Sequence, residues 1–154
     1  MTQDDLDIVA GMLGDAEVMR FYPKVLSRAE AAQWIDRQIG RYRQDGHGLW
    51  LLVERATGEP VGQAGLVRQV IDGADEREIG YMVHRSHWRR GLATEAALAI
   101  RDYAFHTRGD ARVISLIRPV NEPSQGVARK LGMTVEKTTT FAGFEHLVFA
   151  ASRG

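Results

Sequence analysis

The segment from Met82 to Ala96 constrains this chain most, because it leaves a strand, crosses a basic turn and enters a helix. The turn contains Arg89, Arg90 and Gly91, and small residues follow it. The first N–H groups of a helix lack partners within it, and the helix dipole favours an anion there. Gly91 lets the backbone approach a ligand closely. The segment therefore predicts a phosphate site; an ordinary turn with two solvated arginines is the alternative.

The remaining motifs limit the chemistry of that site. The chain contains neither G-x-x-x-x-G-K-S/T nor G-x-G-x-x-G, which favours a pyrophosphate held mainly by backbone without a magnesium motif. There is no cysteine, so a thiol nucleophile and cysteine zinc sites are excluded. The five histidines form no H-E-x-x-H pattern, and we expect no metal. His84 and His87 are interpreted as loop residues near the ligand.

Length and charge define the class of protein. A chain of 154 residues predicts a single domain spanning 1–154. A formal net charge of zero argues against a broad nucleic-acid footprint. No apolar run approaches the roughly 18 residues of a membrane span. The acidic N-terminus lacks the regions of a signal peptide, so we expect no membrane association and a cytoplasmic location.

The hydrophobic pattern predicts an α+β domain with a mixed sheet. A capping box at 27–30 opens a helix, and a continuous apolar run at 49–53 is typical of a strand covered on both faces. The predicted helices span 4–13, 28–45, 92–106 and 121–131. The predicted strands span 49–53, 61–70, 77–84, 112–117, 135–141 and 145–150.

Three segments together resemble one family. Residues 88–95, W-R-R-G-L-A-T-E, resemble the coenzyme A loop Q/R-x-x-G-x-G/A of the GNAT superfamily of N-acetyltransferases, and the tryptophan is usual in its RimJ/RimL-type branch. Residues 121–124 and 127–133 resemble the family's N-x-x-S/A and K-L-G-F/M segment. Residues 78–81, E-I-G-Y, resemble its strand before the loop. The order of the three also matches, and the resemblance covers about residues 6–149.

The resemblance implies a mostly antiparallel mixed sheet flanked by helices, with acetyl-CoA as co-substrate. Relatives have a strand before the first helix, and this chain begins almost at that helix, so the first strand is predicted to be missing. A bare sheet edge invites pairing with another chain, which predicts a homodimer. The residues implied to bind the cofactor are Tyr81, Met82, Val83, Trp88, Arg89, Arg90, Gly91, Leu92, Ala93, Thr94, Asn121 and Ser124.

Two catalytic residues follow from the same resemblance. Glu78 matches a strand glutamate that acts as base in part of the family; a structural partner for an arginine is the alternative. Many relatives use a tyrosine at the position of Ala128 as the acid for the thiolate, so Ser124 is the nearest replacement here. A structural serine in the first helical turn is the alternative, and Asn121 also suits a plain N-cap. Without cysteine or a Ser-His-Asp signal, direct attack in a ternary complex is favoured.

The sequence defines the site of the acceptor less well than the site of the cofactor. By comparison with relatives, an acceptor pocket would be lined by aromatic residues, which could equally belong to the core: Phe21, Tyr22, Trp34 and Phe141. The predicted function is acetyl transfer to a primary amine, either a protein N-terminus or a small-molecule amine. The alternative is a non-catalytic acyl-CoA-binding or protein-interaction module on the same fold.

Overall fold

The computed structural model describes all residues from 1 to 154, and it contains one six-stranded sheet with helices packed on both faces. The strands are β1 Leu49–Val53, β2 Pro60–Ile71, β3 Ala74–Val83, β4 Arg112–Ile117, β5 Thr134–Phe141 and β6 Phe144–Ser152. The helices are α1 Leu6–Leu13, α2 Arg28–Asp45, α3 Leu92–Asp102 and α4 Glu122–Lys130. A π-helical segment, Tyr103–Arg108, extends α3. Every predicted helix and strand is present, with its ends displaced by a few residues.

The strand order across the sheet is β1-β2-β3-β4-β6-β5. Only the β3–β4 pair is parallel, and all the other neighbours are antiparallel. The predicted mixed, mostly antiparallel sheet is therefore confirmed. No strand precedes α1, and β1 forms one edge of the sheet, as predicted.

The predicted coverage of β1 on both faces is wrong for most of the strand. Leu49 is buried, the next three residues are partly buried, and Val53 is 52% exposed. The continuous apolar run suggested an inner strand, but β1 has a strand neighbour on one side only. Side chains at an open edge keep part of their surface in solvent even when they are apolar.

Two hydrophobic clusters cover the two faces of the sheet. Leu66, Ile79 and Phe149 pack beneath α3 and α4, whereas Met82 packs with α1 and α2. Side chains of a strand alternate between faces, so β3 contributes Ile79 and Tyr81 to the first cluster and Met82 to the second. This alternation places β3 between both layers.

The capping box predicted at the start of α2 is present. The Ser27 hydroxyl accepts from the Glu30 N–H at 3.1 Å, and the Glu30 carboxylate accepts from the Ser27 N–H at 3.0 Å. The helix ends at Gly46, whose φ of 77° is the left-handed conformation typical of a C-terminal cap. None of the helices combines the length and the apolar character needed to cross a lipid bilayer.

Candidate functional site

A gap opens between the two parallel strands of the sheet. β3 and β4 are in register only at Glu78 and Ile114, although β3 continues to Val83 and β4 to Ile117. A parallel ladder would otherwise satisfy the backbone groups of both strands. Beyond Glu78 the facing edges of the two strands are therefore unpaired and line a cleft.

Two side chains mark which backbone groups of β3 face this gap. The Ser115 hydroxyl donates to the Ile79 carbonyl oxygen at 2.8 Å, and the Trp88 indole N–H donates to the Val83 carbonyl oxygen at 2.8 Å. Backbone groups of a strand alternate between its two edges with a period of two residues. The N–H and C=O of Tyr81 therefore point into the gap as well, where no strand residue pairs with them.

The basic turn leads from this edge into α3. Gly91 is the N-cap, with φ 74° and ψ 11°, and no side chain caps the helix. The first intrahelical bond reaches Gly91 from the Glu95 N–H at 3.0 Å. The preceding N–H groups, at the positions of Leu92, Ala93 and Thr94, open on to the cleft, which these residues line. An uncapped helix N-terminus that faces a cleft matches the predicted anion site.

The two arginines of the turn point to different places. Arg89 has a positive φ of 63° and lines the cleft. Arg90 does not line the cleft, because its guanidinium pairs with the Glu54 carboxylate just beyond β1. This hydrogen bond lowers the pKa of Glu54 below its usual value. The prediction that Arg90 contacts the phosphate is thus not supported: its charge is neutralised outside the cleft.

The cleft has a volume of about 450 Å³. The structure brings eleven of the twelve predicted cofactor-binding residues to its wall: Tyr81, Met82, Val83, Trp88, Arg89, Gly91, Leu92, Ala93, Thr94, Asn121 and Ser124. Another part of the wall comes from the segment after α1 and includes Arg20, which the sequence analysis did not identify. The Arg20 guanidinium lies 4.6 Å from the Phe21 ring centroid and 6.0 Å from that of Trp88. No local motif marked Arg20, because the contact joins distant parts of the chain.

The start of α4 closes the other end of the cleft. The Asn121 side-chain oxygen accepts from the Ser124 N–H at 3.2 Å, so Asn121 caps the helix while its side chain borders the cleft. The Tyr81 hydroxyl donates to the Ser124 carbonyl oxygen at 2.8 Å and joins β3 to α4. Burial raises the pKa of Tyr81 strongly. The Ser124 hydroxyl itself has no hydrogen-bond partner within the protein and remains free to act on a ligand.

A smaller chamber of about 140 Å³ adjoins the cleft and contains Glu78. The Glu78 carboxylate accepts from the Gln69 side-chain amide at 3.0 Å and forms no ion pair. Burial raises the pKa of this carboxyl, although Gln69, the Leu116 backbone and the Arg41 charge oppose the shift. The alternative role as an arginine's partner is therefore not what the structure shows. A carboxylate with a raised pKa is a stronger base than an exposed glutamate.

Phe21, Tyr22 and Phe141 line this chamber, as predicted for an acceptor pocket. Burial of the phenol and the Glu78 charge raise the pKa of Tyr22 to about 12, although the residue as a whole is 41% exposed. Trp34, which was also predicted to line the pocket, does not line this chamber. Its indole N–H donates to the Gln63 side chain at 3.0 Å, and its ring packs against the cluster of α1 and α2.

Glu54, Glu59 and His87 form a group beside the turn whose potential ligand atoms lie within 4.8 Å of one another. The His87 imidazole lies 3.8 Å from the Glu59 carboxylate, and Arg90 already pairs with Glu54. A guanidinium on one carboxylate competes with a cation for the same oxygens. The group therefore contains one established ion pair, between Arg90 and Glu54, and it lies beside the turn.

The sheet divides beside an uncapped helix N-terminus that faces a cleft, and comparison with known proteins identifies the family. Residues 1–134 match the acetyltransferase (GNAT) domain family, and the chain belongs to it. An uncharacterized protein of Bacillus subtilis (strain 168), YkkB, is 35% identical over 136 residues, which cover 88% of this chain and 79% of that protein.

Solved structures share the same fold. An acetyltransferase from Agrobacterium tumefaciens is 23% identical with a TM-score of 0.85, covering 99% of this chain and 88% of that one. RimL, a ribosomal alpha-N-protein acetyltransferase solved with coenzyme A, is 16% identical with a TM-score of 0.80, covering 99% and 90%. Membership of the family implies acetyl transfer that depends on acetyl-CoA.

Proposed function

We propose that residues 1–154 form one N-acetyltransferase domain of the RimJ/RimL type, which moves an acetyl group from acetyl-CoA to a primary amine. The observation that supports this function best is the junction of the two cavities. Five residues line both the cleft and the Glu78 chamber: Phe21, Tyr22, Tyr81, Asn121 and Ser124. An amine in the chamber and a thioester in the cleft would meet at this junction, so direct attack needs no covalent acyl-enzyme.

The walls of the cleft suit the parts of coenzyme A. The N-terminus of α3 offers N–H donors and a favourable dipole to the pyrophosphate, with the positive charges of Arg89 and Arg20 beside it. A Cβ added at Gly91 would meet no heavy atom within 4 Å, so the backbone there is open to a close approach. The free backbone of Tyr81 suits the amide groups of the pantetheine arm. Its N–H would also polarise the thioester carbonyl.

Glu78 takes the proton from the attacking amine in this proposal. The amine nitrogen forms a bond to the carbonyl carbon, the C–S bond breaks, and the leaving thiolate receives a proton from Ser124. Ser124 regains a proton from solvent, and Glu78 releases its proton to solvent. An α-amine has a pKa of about 7.7–8.0 and a lysine amine about 10.4, so the α-amine needs less help at neutral pH. The raised pKa of Glu78 brings the base closer to the pKa of either amine.

The rival function is a non-catalytic module that binds acyl-CoA or a partner protein. Glu78 distinguishes the two, because a partly buried carboxylate without an ion-pair partner costs stability. A binding module gains nothing from this loss of stability, whereas an enzyme needs the base. The arrangement around Glu78 therefore favours the enzyme.

The first test separates the two functions. Acetyl-CoA at 100 times its Kd should stabilise the protein by about 2.7 kcal/mol, which is roughly 5–11 °C in Tm for a chain of this size. A free-thiol assay should then detect turnover with one class of a panel of N-terminal peptides, amino acids, polyamines and aminoglycosides. Stabilisation without turnover on any amine would favour the binding module, and no stabilisation would contradict both functions.

The second test addresses the base. Glu78→Gln keeps the shape and hydrogen bonding but cannot accept a proton, so kcat should fall about 10²–10⁴-fold while acetyl-CoA affinity stays unchanged. Raising the pH should recover part of the rate. Glu76→Gln is the matched control, because Glu76 lies two residues away on β3, pairs with Arg112 and does not line the chamber. Wild-type kcat in Glu78→Gln at pH 7 would show that the proton leaves by another route.

A further inference from the structure

The Glu78 chamber has an unusual balance of charge. Glu78 is its only carboxylate, and Arg118 is its only permanently charged cation. Most of the remaining lining is apolar or aromatic, including Phe21, Phe141 and Phe144. A ligand that fills this chamber therefore meets one negative and one positive group set in an apolar wall.

Arg118 has hydrogen-bonding capacity that the protein does not use. Its guanidinium lies 4.4 Å from the Phe144 ring centroid, and one of its N–H groups donates to the Phe21 carbonyl oxygen at 3.2 Å. No carboxylate lies within ion-pair distance of it. By contrast, Arg108 and Arg112, which are also partly buried, each pair with a carboxylate.

A partly buried guanidinium with free donors in an apolar wall is a strong site for a carboxylate. Arginine has five N–H donors in a planar fork, which matches the two oxygens of a carboxylate. Stacking on Phe144 restricts the orientation of the fork, so less entropy is lost when an anion binds. The free donors of Arg118 therefore indicate that the occupant of the chamber carries an anionic group.

We propose that the amine acceptor is a small amino carboxylate, of the class of a free α-amino acid with an apolar or aromatic side chain. This inference rests on the proposed acetyl transfer. The amine of this acceptor lies towards Glu78 as the attacking group. The acceptor's carboxylate binds Arg118, and its apolar part packs against the phenylalanines of the chamber. A volume of about 140 Å³ is well below that of a site for a drug-sized molecule and suits one compact group.

Two other acceptor classes fit less well. Polyamines and aminoglycosides carry several positive charges, but the chamber offers a single carboxylate and places Arg118 near it. The like charges would repel without compensation. A protein N-terminus has an amide where a free amino acid has its carboxylate, so it would leave the donors of Arg118 unpaired unless an acidic side chain follows.

The test compares pairs of acceptors that differ only in the carboxylate, such as phenylalanine, phenylalanine amide and phenethylamine. Arg118→Met should lower kcat/KM for the amino acid about 10- to 150-fold, which is the loss expected for one hydrogen bond to a charged group. The rates with the amide and the amine should stay nearly unchanged. Each acceptor serves as its own reference, which removes the difference in amine pKa between them. Arg118→Lys keeps the charge but not the fork and should give an intermediate loss.

Arg43→Met is the matched control. Arg43 is exposed on α2, has no hydrogen bond or ion pair through its side chain and does not line the chamber, so no acceptor should change its rate. An equal loss for all three acceptors in Arg118→Met would overturn the proposal and show that Arg118 only holds the Phe21 segment. Turnover of acidic N-terminal peptides with inert free amino acids would overturn it in favour of a protein acceptor.

A binding experiment separates this proposal from the proposed activity. With coenzyme A bound in place of acetyl-CoA, calorimetry should detect binding of phenylalanine to the wild type and not to Arg118→Met. Binding without turnover would support the acceptor site and contradict the acetyl transfer. Absence of binding together with turnover of other amines would support the transfer and overturn the amino-carboxylate acceptor.

Discussion

Replacing Gly91 with valine should separate backbone strain from loss of cofactor contact. Gly91 has φ 74° and ψ 11°, a left-handed conformation that costs a residue with a Cβ about 1–2 kcal/mol. A Cβ at this position meets no heavy atom within 4 Å, so no clash inside the protein adds to the strain. The free energy of unfolding should fall by about 1–2 kcal/mol, and Tm by roughly 2–8 °C for a chain of this size.

The affinity for coenzyme A should also fall, for a reason separate from this strain. The valine side chain would enter the cleft at the N-terminus of α3, where we place the pyrophosphate. Loss of one hydrogen bond to a charged group, worth about 1.5–3 kcal/mol, raises Kd about 10- to 150-fold. Pantetheine lacks the pyrophosphate, so its affinity should change little. Isothermal titration of both ligands measures the difference directly.

Gly46→Val is the matched control for this experiment. Gly46 has φ 77° and ψ 5°, close to the values of Gly91, and a Cβ there also meets no heavy atom within 4 Å. It ends α2 and does not line the cleft. The control should lose a similar Tm and keep its affinity for coenzyme A. An equal loss of coenzyme A and pantetheine in Gly91→Val, or a comparable loss in the control, would refute the reasoning.

Three further predictions concern the acid, the base and the sheet edge. Ser124→Ala should lower kcat and Tyr22→Phe should leave it near wild type; the opposite result would assign the proton of the thiolate to Tyr22, whose pKa of about 12 keeps it protonated at neutral pH. Burial raises the folded-state pKa of Glu78. The stability that the Glu78 carboxyl contributes is therefore complete below the unfolded pKa of about 4.3 and is lost as the pH rises through the folded-state pKa. Glu78→Gln should therefore be at least as stable as wild type in denaturant at pH 8, with the gain vanishing near pH 4; a less stable variant at pH 8 would make Glu78 structural. The open edge of β1 should support a homodimer at tens of micromolar, and a monomer by light scattering would contradict this.

Local signals predicted most of the fold. The capping box at Ser27 and Glu30 depends on residues three apart, and the order of hairpins depends on turns that contain glycine. Strand alternation also placed Ile79 and Met82 in different layers, because the side-chain period of a strand is fixed. Features that depend on neighbouring residues can be derived from the sequence without knowledge of tertiary contacts.

The parts of the site that were missed depend on distant residues. Arg90 and Glu54 are 36 positions apart, and their pairing removed Arg90 from the cleft. Trp34 is an aromatic residue of the kind that often lines pockets, but its indole N–H donates to the side chain of Gln63, 29 positions away. Arg20 lines the cleft and belongs to a segment without regular secondary structure. Pairing across such distances is decided by packing, for which the sequence pattern contains no local signal.

The position of Glu78 follows from where the sheet divides. Glu78 is the only residue of β3 in register with β4, and one residue later the Ser115 hydroxyl bonds the Ile79 carbonyl. Glu78 therefore lies at the vertex of the gap, and its carboxylate lines the chamber that adjoins the cleft. A shift of register by one residue would move Glu78 to the opposite face and bring Ile79 in its place. The same break in pairing thus provides both the free backbone edge that we propose for the cofactor and the location of the proposed base.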